Sequence, residues 1–186
     1  MRGAGYLLAT QKGFEGNPGT FYDYVLGANG LFIKARNPLL EARICIAPAE
    51  IRGLEPVEEY VYLVHGKIPF KAYTMASEDF FNHPTTERYA CVYWAETMYA
   101  IYFPIQESTE GHVTYDAIGG NTILEAHSHG QMPAFFSTQD TTDEKGFKLS
   151  LILGKVDTKI EYKLRLGTYG YYKKMQFGEV FDVHPQ

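Results

Sequence analysis

A single stretch of this chain, Phe70 to Asn82, spaces its apolar residues as a helix does, and that scarcity constrains the fold more than any other feature. Phe70, Tyr73, Ala76, Phe80 and Phe81 fall near the helical period, and Asn82-His83-Pro84 supplies the stop, because a residue before proline disfavours the helical region. Nearly everything else reads as strand. Fifteen Tyr and twelve Phe, together with Val and Ile, suit the pleated, half-buried surface of a sheet.

The strands come in short runs divided by turn chemistry. Tyr6 to Ala9 is followed by Gly13, Gly16 and Asn17-Pro18-Gly19; Phe21 to Leu26 leads to Asn29-Gly30, a hairpin signal, before Leu31 to Ala35; Leu39 to Ala47 ends at Pro48. After the helix, Tyr89 to Trp94 and Met98 to Phe103 flank Ala95-Glu96-Thr97 as a second hairpin. A looser stretch with Gly111 and Gly119-Gly120 precedes a strand from Thr122 to His129. Phe147 to Leu153 and Ile160 to Leu166 are two more, and Tyr169-Gly170-Tyr171-Tyr172 begins the last. Strands, one helix, a hairpin and further strands make an α+β protein.

The chain has 186 residues, 45% hydrophobic and 21% charged, which suits one mid-sized domain or a compact domain with an extension. Its net charge is −5 and no block of like charges appears, so neither nucleic acid nor an anionic membrane is an expected partner. Met1 to Gly13 has no signal-peptide core and no run approaches the ~18 apolar residues of a membrane span, so a cytoplasmic location is expected. Cys45 and Cys91 lie far apart outside any C-x-x-C pair and read as small hydrophobes.

Chemistry concentrates between Glu125 and Asp140. Residues two apart on a strand share a face, so His127 and His129 point the same way with roots ~6–7 Å apart. Two imidazoles in that relation can converge on one Zn²⁺, and Asp140, after a ten-residue loop, can fold back as a third ligand. Two His and one carboxylate leave a fourth tetrahedral corner for water, as in catalytic rather than structural zinc sites. With this composition the whole pattern, including Ser137, arises by chance on the order of once in several thousand such sequences.

The string His127-Ser128-His129, seven residues, Ser137, two residues, Asp140 resembles the signature of the JAMM (JAB/MPN) zinc metalloproteases. The resemblance spans roughly Phe70 to Leu166 and implies a mixed β-sheet with a flanking helix, a cytidine-deaminase-like core, over residues 67–186, with residues 1–66 as a β-rich N-terminal extension. It further implies one Zn²⁺ per chain, a general base at Glu87, an oxyanion donor at Ser137, and hydrolysis of an amide at an extended protein or peptide tail such as a ubiquitin-like one. A catalytically silent assembly module of the same fold is the alternative. Glu125 is the rival base, because it shares a strand face with both histidines. Gly130 stands where the family usually has proline; Pro133 to Ser137, Asp143-Glu144 and Phe147 resemble the prokaryotic branch associated with plasmid-borne PRTRC gene clusters.

Other readings are plainer. Ser137-x-x-Asp140 can cap a short helix, which does not exclude ligation. His-x-His also occurs in cupin barrels, but those want a glutamate shortly afterwards and Gly130 to Ser137 contain none. His65, His83, His112 and His184 lack partners at ligand spacing; Glu96 reads as a hairpin tip and Asp143 and Glu144 as surface charges. The Tyr169 to Tyr172 cluster suits strand packing better than base stacking, since no basic density surrounds it.

Overall fold

The computed structural model describes residues 3–108, 113–115 and 121–182. By its internal contacts the chain divides into two compact units, Met1–Gly66 and Lys67–Gln186.

The first unit holds β1 (Ala4–Thr10), β2 (Gly13–Asn17), β3 (Tyr22–Gly27), β4 (Gly30–Arg36), β5 (Leu40–Pro48) and β6 (Tyr60–Leu63), in one sheet ordered β2-β1-β3-β4-β5-β6. Only β1 and β3 pair in parallel. Leu7, Ala9, Val25 and Phe32 alternate inward and are closed over by Val57. The hairpin expected at Asn29-Gly30 forms one residue earlier, with Ala28-Asn29 as the turn and Gly30 already paired in β4. Gly13 to Asn17, read as turn chemistry, is an edge strand whose five residues are all exposed. The ladder to β1 orders it, with the Phe14 ring under Lys34 and Arg43, and Gly16 permits that ladder, since a Cβ there would lie 2.2 Å from the Tyr6 carbonyl oxygen. Tyr60–Leu63, which has only four residues to show a period, is an additional strand.

The second unit holds β7 (Ile68–Pro69), α1 (Phe70–Phe81), β8 (Tyr89–Ala95), β9 (Met98–Tyr102), β10 (Gln106–Ser108), β11 (Val113–Tyr115), β12 (Thr122–Ser128), α2 (Thr138–Asp143), β13 (Phe147–Gly154), β14 (Glu161–Thr168), β15 (Tyr171–Lys174), α3 (Phe177–Val180) and β16 (Phe181–Asp182). Six strands form a mixed sheet ordered β15-β14-β13-β12-β8-β9, in which only β12 and β13 run parallel. This is the α+β arrangement expected, with α1 as the flanking helix. The looser stretch contains the β10–β11 ribbon; Gly111, Gly119 and Gly120 lie outside the described residues, as do His112 and His184. Tyr169-Gly170, read as the start of the last strand, is the turn before it, with φ of +48° and +92°. No helix among the described residues is long and apolar enough to cross a membrane.

Strand alternation gives this sheet two unlike faces. Ala90, Val92, Leu124, Ala126 and Leu151 line one small gap together with Ala72, Tyr73 and Ala76 of α1. Val92, Leu124 and Leu151, fully buried, each contribute roughly 1.5–3 kcal/mol. The opposite face carries Glu125 and His127 on β12, and the register places Glu125 beside Ser150 of β13 and Ser150 beside Arg165 of β14. The same strands that build the core thus present a row of polar groups on their other side.

Candidate metal centre

His127 sits in β12 and His129 one residue past its end, and their Nε2 atoms are 3.3 Å apart. Parallel strands need a crossover connection. The one joining β12 to β13 contains α2, and α2 brings Asp140 to the histidines: Oδ1 is 3.1 Å from His127 Nε2 and Oδ2 is 3.9 Å from His129 Nε2. All three donor atoms lie within 4.8 Å of one another. Ligands bonded at ~2.0–2.1 Å to one tetrahedral ion stand about 3.3 Å from each other, so the residues present fit a metal ion.

The loop that makes this possible turns on two glycines. Gly130 has φ +55°, and a Cβ there would sit 2.4 Å from the Pro84 carbonyl oxygen. Proline, locked near −65°, cannot occupy that position, which accounts for the departure noted in the sequence. Gly154, at the end of β13, lets residues 132–134 pass over it; a Cβ would approach the Ala134 nitrogen to 2.3 Å.

Ser137 caps α2. Its Oγ accepts from the Asp140 N–H at 3.0 Å while the Ser137 N–H donates to Asp140 Oδ2 at 2.6 Å, a complete capping box. Capping is therefore compatible with ligation: the cap tethers Oδ2 and leaves Oδ1 toward His127. Burial alone would raise the Asp140 carboxyl, but hydrogen bonds from His127 and Ser137 outweigh it and hold it well below the ordinary carboxylate range. Burial keeps the His129 ring below the usual imidazole value; the neighbouring His127 acts in the same sense, while Asp140 and the Pro133 carbonyl pull it back. His129 Nδ1 is buried without a hydrogen bond of full geometry, and Phe135 packs edge-on against the ring at 4.6 Å. A neutral imidazole beside an ionised carboxylate is the ligand-ready state.

A cleft of about 320 Å³ opens beside the three donors and is lined by Glu87, Glu125, Ser137 and Lys148 among others. Tyr89 pairs with His127, so Glu87, two residues before Tyr89, precedes β8 at the level of His129. Ser128, the residue between the histidines, explains how that segment is fixed. It is fully buried; its Oγ accepts from the Arg88 N–H at 3.0 Å, its own N–H donates to the Arg88 carbonyl at 2.8 Å, and the Arg88 side chain forks onto Asp79 of α1. Glu125 lines the same cleft but is ion-paired to Lys148 at 2.5 Å. Lys148 and Ser150 escaped the sequence reading, although both interrupt the leucines of β13 in alternation. Glu144 is a correction: expected as a surface charge, it is largely buried and bonded to Arg165 at 2.8 Å. His65 and His83 are exposed, as is Glu96 at its hairpin tip.

The sequence profile of prokaryotic homologs of the JAB domain matches residues 53–165. The chain belongs to this family. The JAB match spans Glu87, His127, His129, Ser137 and Asp140 and begins within the first unit, at residue 53. The JAB family includes hydrolases. No curated protein matches the chain.

Proposed function

We propose that this JAB domain is a zinc-dependent hydrolase of amide bonds in extended protein tails, ubiquitin-like ones among them. The observation that carries the reading is the convergence of His127 Nε2, His129 Nε2 and Asp140 Oδ1 at the edge of a cleft that Glu87 also lines. His127, His129 and Asp140 would hold the ion, which when bound supplies Lewis-acid chemistry and makes water acidic near neutral pH.

Glu87 is the base in this scheme: its carboxylate takes a proton from water in the cleft and returns it to the leaving amine nitrogen. The Ser137 Oγ accepts from the Asp140 N–H, which leaves its own proton to donate to the carbonyl oxygen as negative charge develops there. Glu125 has its charge engaged by Lys148, which disfavours it as the base. A second hollow of about 240 Å³, lined by Pro84 to Thr86 and Gly130 to Met132, shares His129 and Met132 with the first. A substrate chain passing over His129 can occupy both, which favours an extended tail over a compact small molecule.

Metal analysis of purified protein tests the reading. Wild type is expected to carry close to one zinc per chain, and His127→Ala and Asp140→Ala little. Glu87→Gln is expected to keep zinc and lose cleavage of a panel of ubiquitin-like C-terminal extensions. Zinc without cleavage of any panel member would favour the assembly module, and zinc loss in Glu87→Gln would make Glu87 a ligand.

A further inference from the structure

α2 has six residues and none of them is buried. A helix that short does not persist by itself, yet it carries Asp140. Its anchorage comes from β14. The Arg165 guanidinium lies between two rings, 3.6 Å from the Phe136 centroid and 4.0 Å from that of Tyr172. Its Nε donates to Glu144 Oε2 at 2.8 Å and its Nη2 to Thr141 Oγ1 at 3.3 Å, while the Tyr172 hydroxyl donates to the Thr141 carbonyl at 2.9 Å. Phe136 and Glu144 bracket α2 at its two ends, and Arg165 is itself 9% exposed. A planar fork that stacks and bonds at once is something lysine cannot reproduce.

We propose that Arg165 is a positioning residue for the metal centre: clamped between Phe136 and Tyr172 and bonded to Glu144 and Thr141, it fixes α2 against the sheet and so holds Asp140 at the histidines. The inference rests on the metal reading above, and acts through one ligand only. The groups that Arg165 bonds and stacks with lie on α2, its two flanks and β15, whereas both histidines are carried by β12 and its end.

The test is a double-mutant cycle on zinc affinity, measured by chelator competition in wild type, Arg165→Met, Asp140→Ala and the double variant. Arg165→Met is expected to weaken zinc binding about 10–100-fold, the scale of supporting residues around a metal, and Arg165→Lys to restore little of it. In the Asp140→Ala background the same Arg165→Met change is expected to alter affinity less than about threefold, because the ligand it positions is gone. Equal loss in both backgrounds, or wild-type affinity in Arg165→Met, overturns the proposal. Amide exchange of the metal-free protein gives a second reading that does not depend on zinc: the Thr141 and Glu144 N–H groups, bonded to the Ser137 and Asp140 carbonyls at 3.1 and 2.9 Å, are expected to exchange faster in Arg165→Met and, to a smaller degree, in Tyr172→Phe, with β13 unchanged. Unchanged exchange there overturns the clamp, whereas zinc-free wild type with faster α2 exchange in the variants overturns only the metal reading. Should Arg165→Met fail to fold, Tyr172→Phe and Thr141→Val carry both measurements, with weaker zinc binding and faster exchange expected and wild-type values overturning the proposal.

Discussion

Each of the two six-stranded sheets contains a single parallel pair among its described strands, and the two pairs are used differently. Between β1 and β3 the return path is an exposed edge strand and the glycine-rich turns around it, and it carries no cluster of ligating groups among the described residues. Between β12 and β13 the return path leaves the strand at His129, passes Gly130, crosses Gly154 and delivers Ser137 and Asp140 back to His127. A parallel pair compels a crossover in both cases. What separates them is where polar side chains stand at the strand end, and whether the returning chain is held tightly enough to place a partner beside them.

The largest effect that would sharpen this contrast is at the proposed base. Glu87→Gln is expected to lower kcat by about 10²–10⁴ with zinc content intact, measured on a cleavable tail; wild-type kcat would move the base elsewhere. Ser137→Ala comes next. It removes a cap, at ~1 kcal/mol of stability, and the proposed oxyanion donor, at about 10²–10³ in rate. Thermal melts and kinetics separate the two, and a melt change alone would leave Ser137 only its cap.

Packing sets the middle of the range. Gly154→Val puts side-chain atoms into the 132–134 backbone and is expected to cost about 1–3 kcal/mol in urea unfolding. Gly13→Ala, in the other crossover, meets nothing within 4 Å and is strained only by its φ of +105°, so a smaller cost of about 1–2 kcal/mol is expected. Equal costs would break the contrast between a loop that must fit and one that need not. The smallest effect concerns pH in the metal-free protein. His129 is held below its ordinary value in the folded state, so as pH falls through the ordinary imidazole range near ~6.5 the unfolded chain takes up a proton first and stability declines; above that range the contribution is full and flat. His129→Asn is expected to flatten that part of the stability–pH curve, and an unchanged slope would assign it to other groups.

Local chemistry made much of this legible. The period around Phe70, the turn at Glu96 and the alternation that puts His127 and His129 on one face are properties of neighbouring residues, and the elements built on them are present. Gly13 to Asn17 misled because its order is imposed by β1, and Tyr60–Leu63 because four residues show no clear period. At the centre, Asp140 could be read from its distance along the chain, and the cap from Ser137-x-x-Asp140. The supports could not. Ser128 holds Arg88 across 40 residues, Lys148 meets Glu125 and Arg165 reaches Glu144 only through strand register and crossover, which no local spacing encodes.

The most direct test is anomalous diffraction at the zinc absorption edge from crystals of the metal-loaded protein. A single peak about 2.0–2.2 Å from His127 Nε2, His129 Nε2 and an Asp140 carboxylate oxygen, with one coordination position facing the cleft and not filled by protein, is the expected result. A peak elsewhere, or a fourth protein side chain closing that position, would contradict the assignment of a catalytic zinc to this crossover.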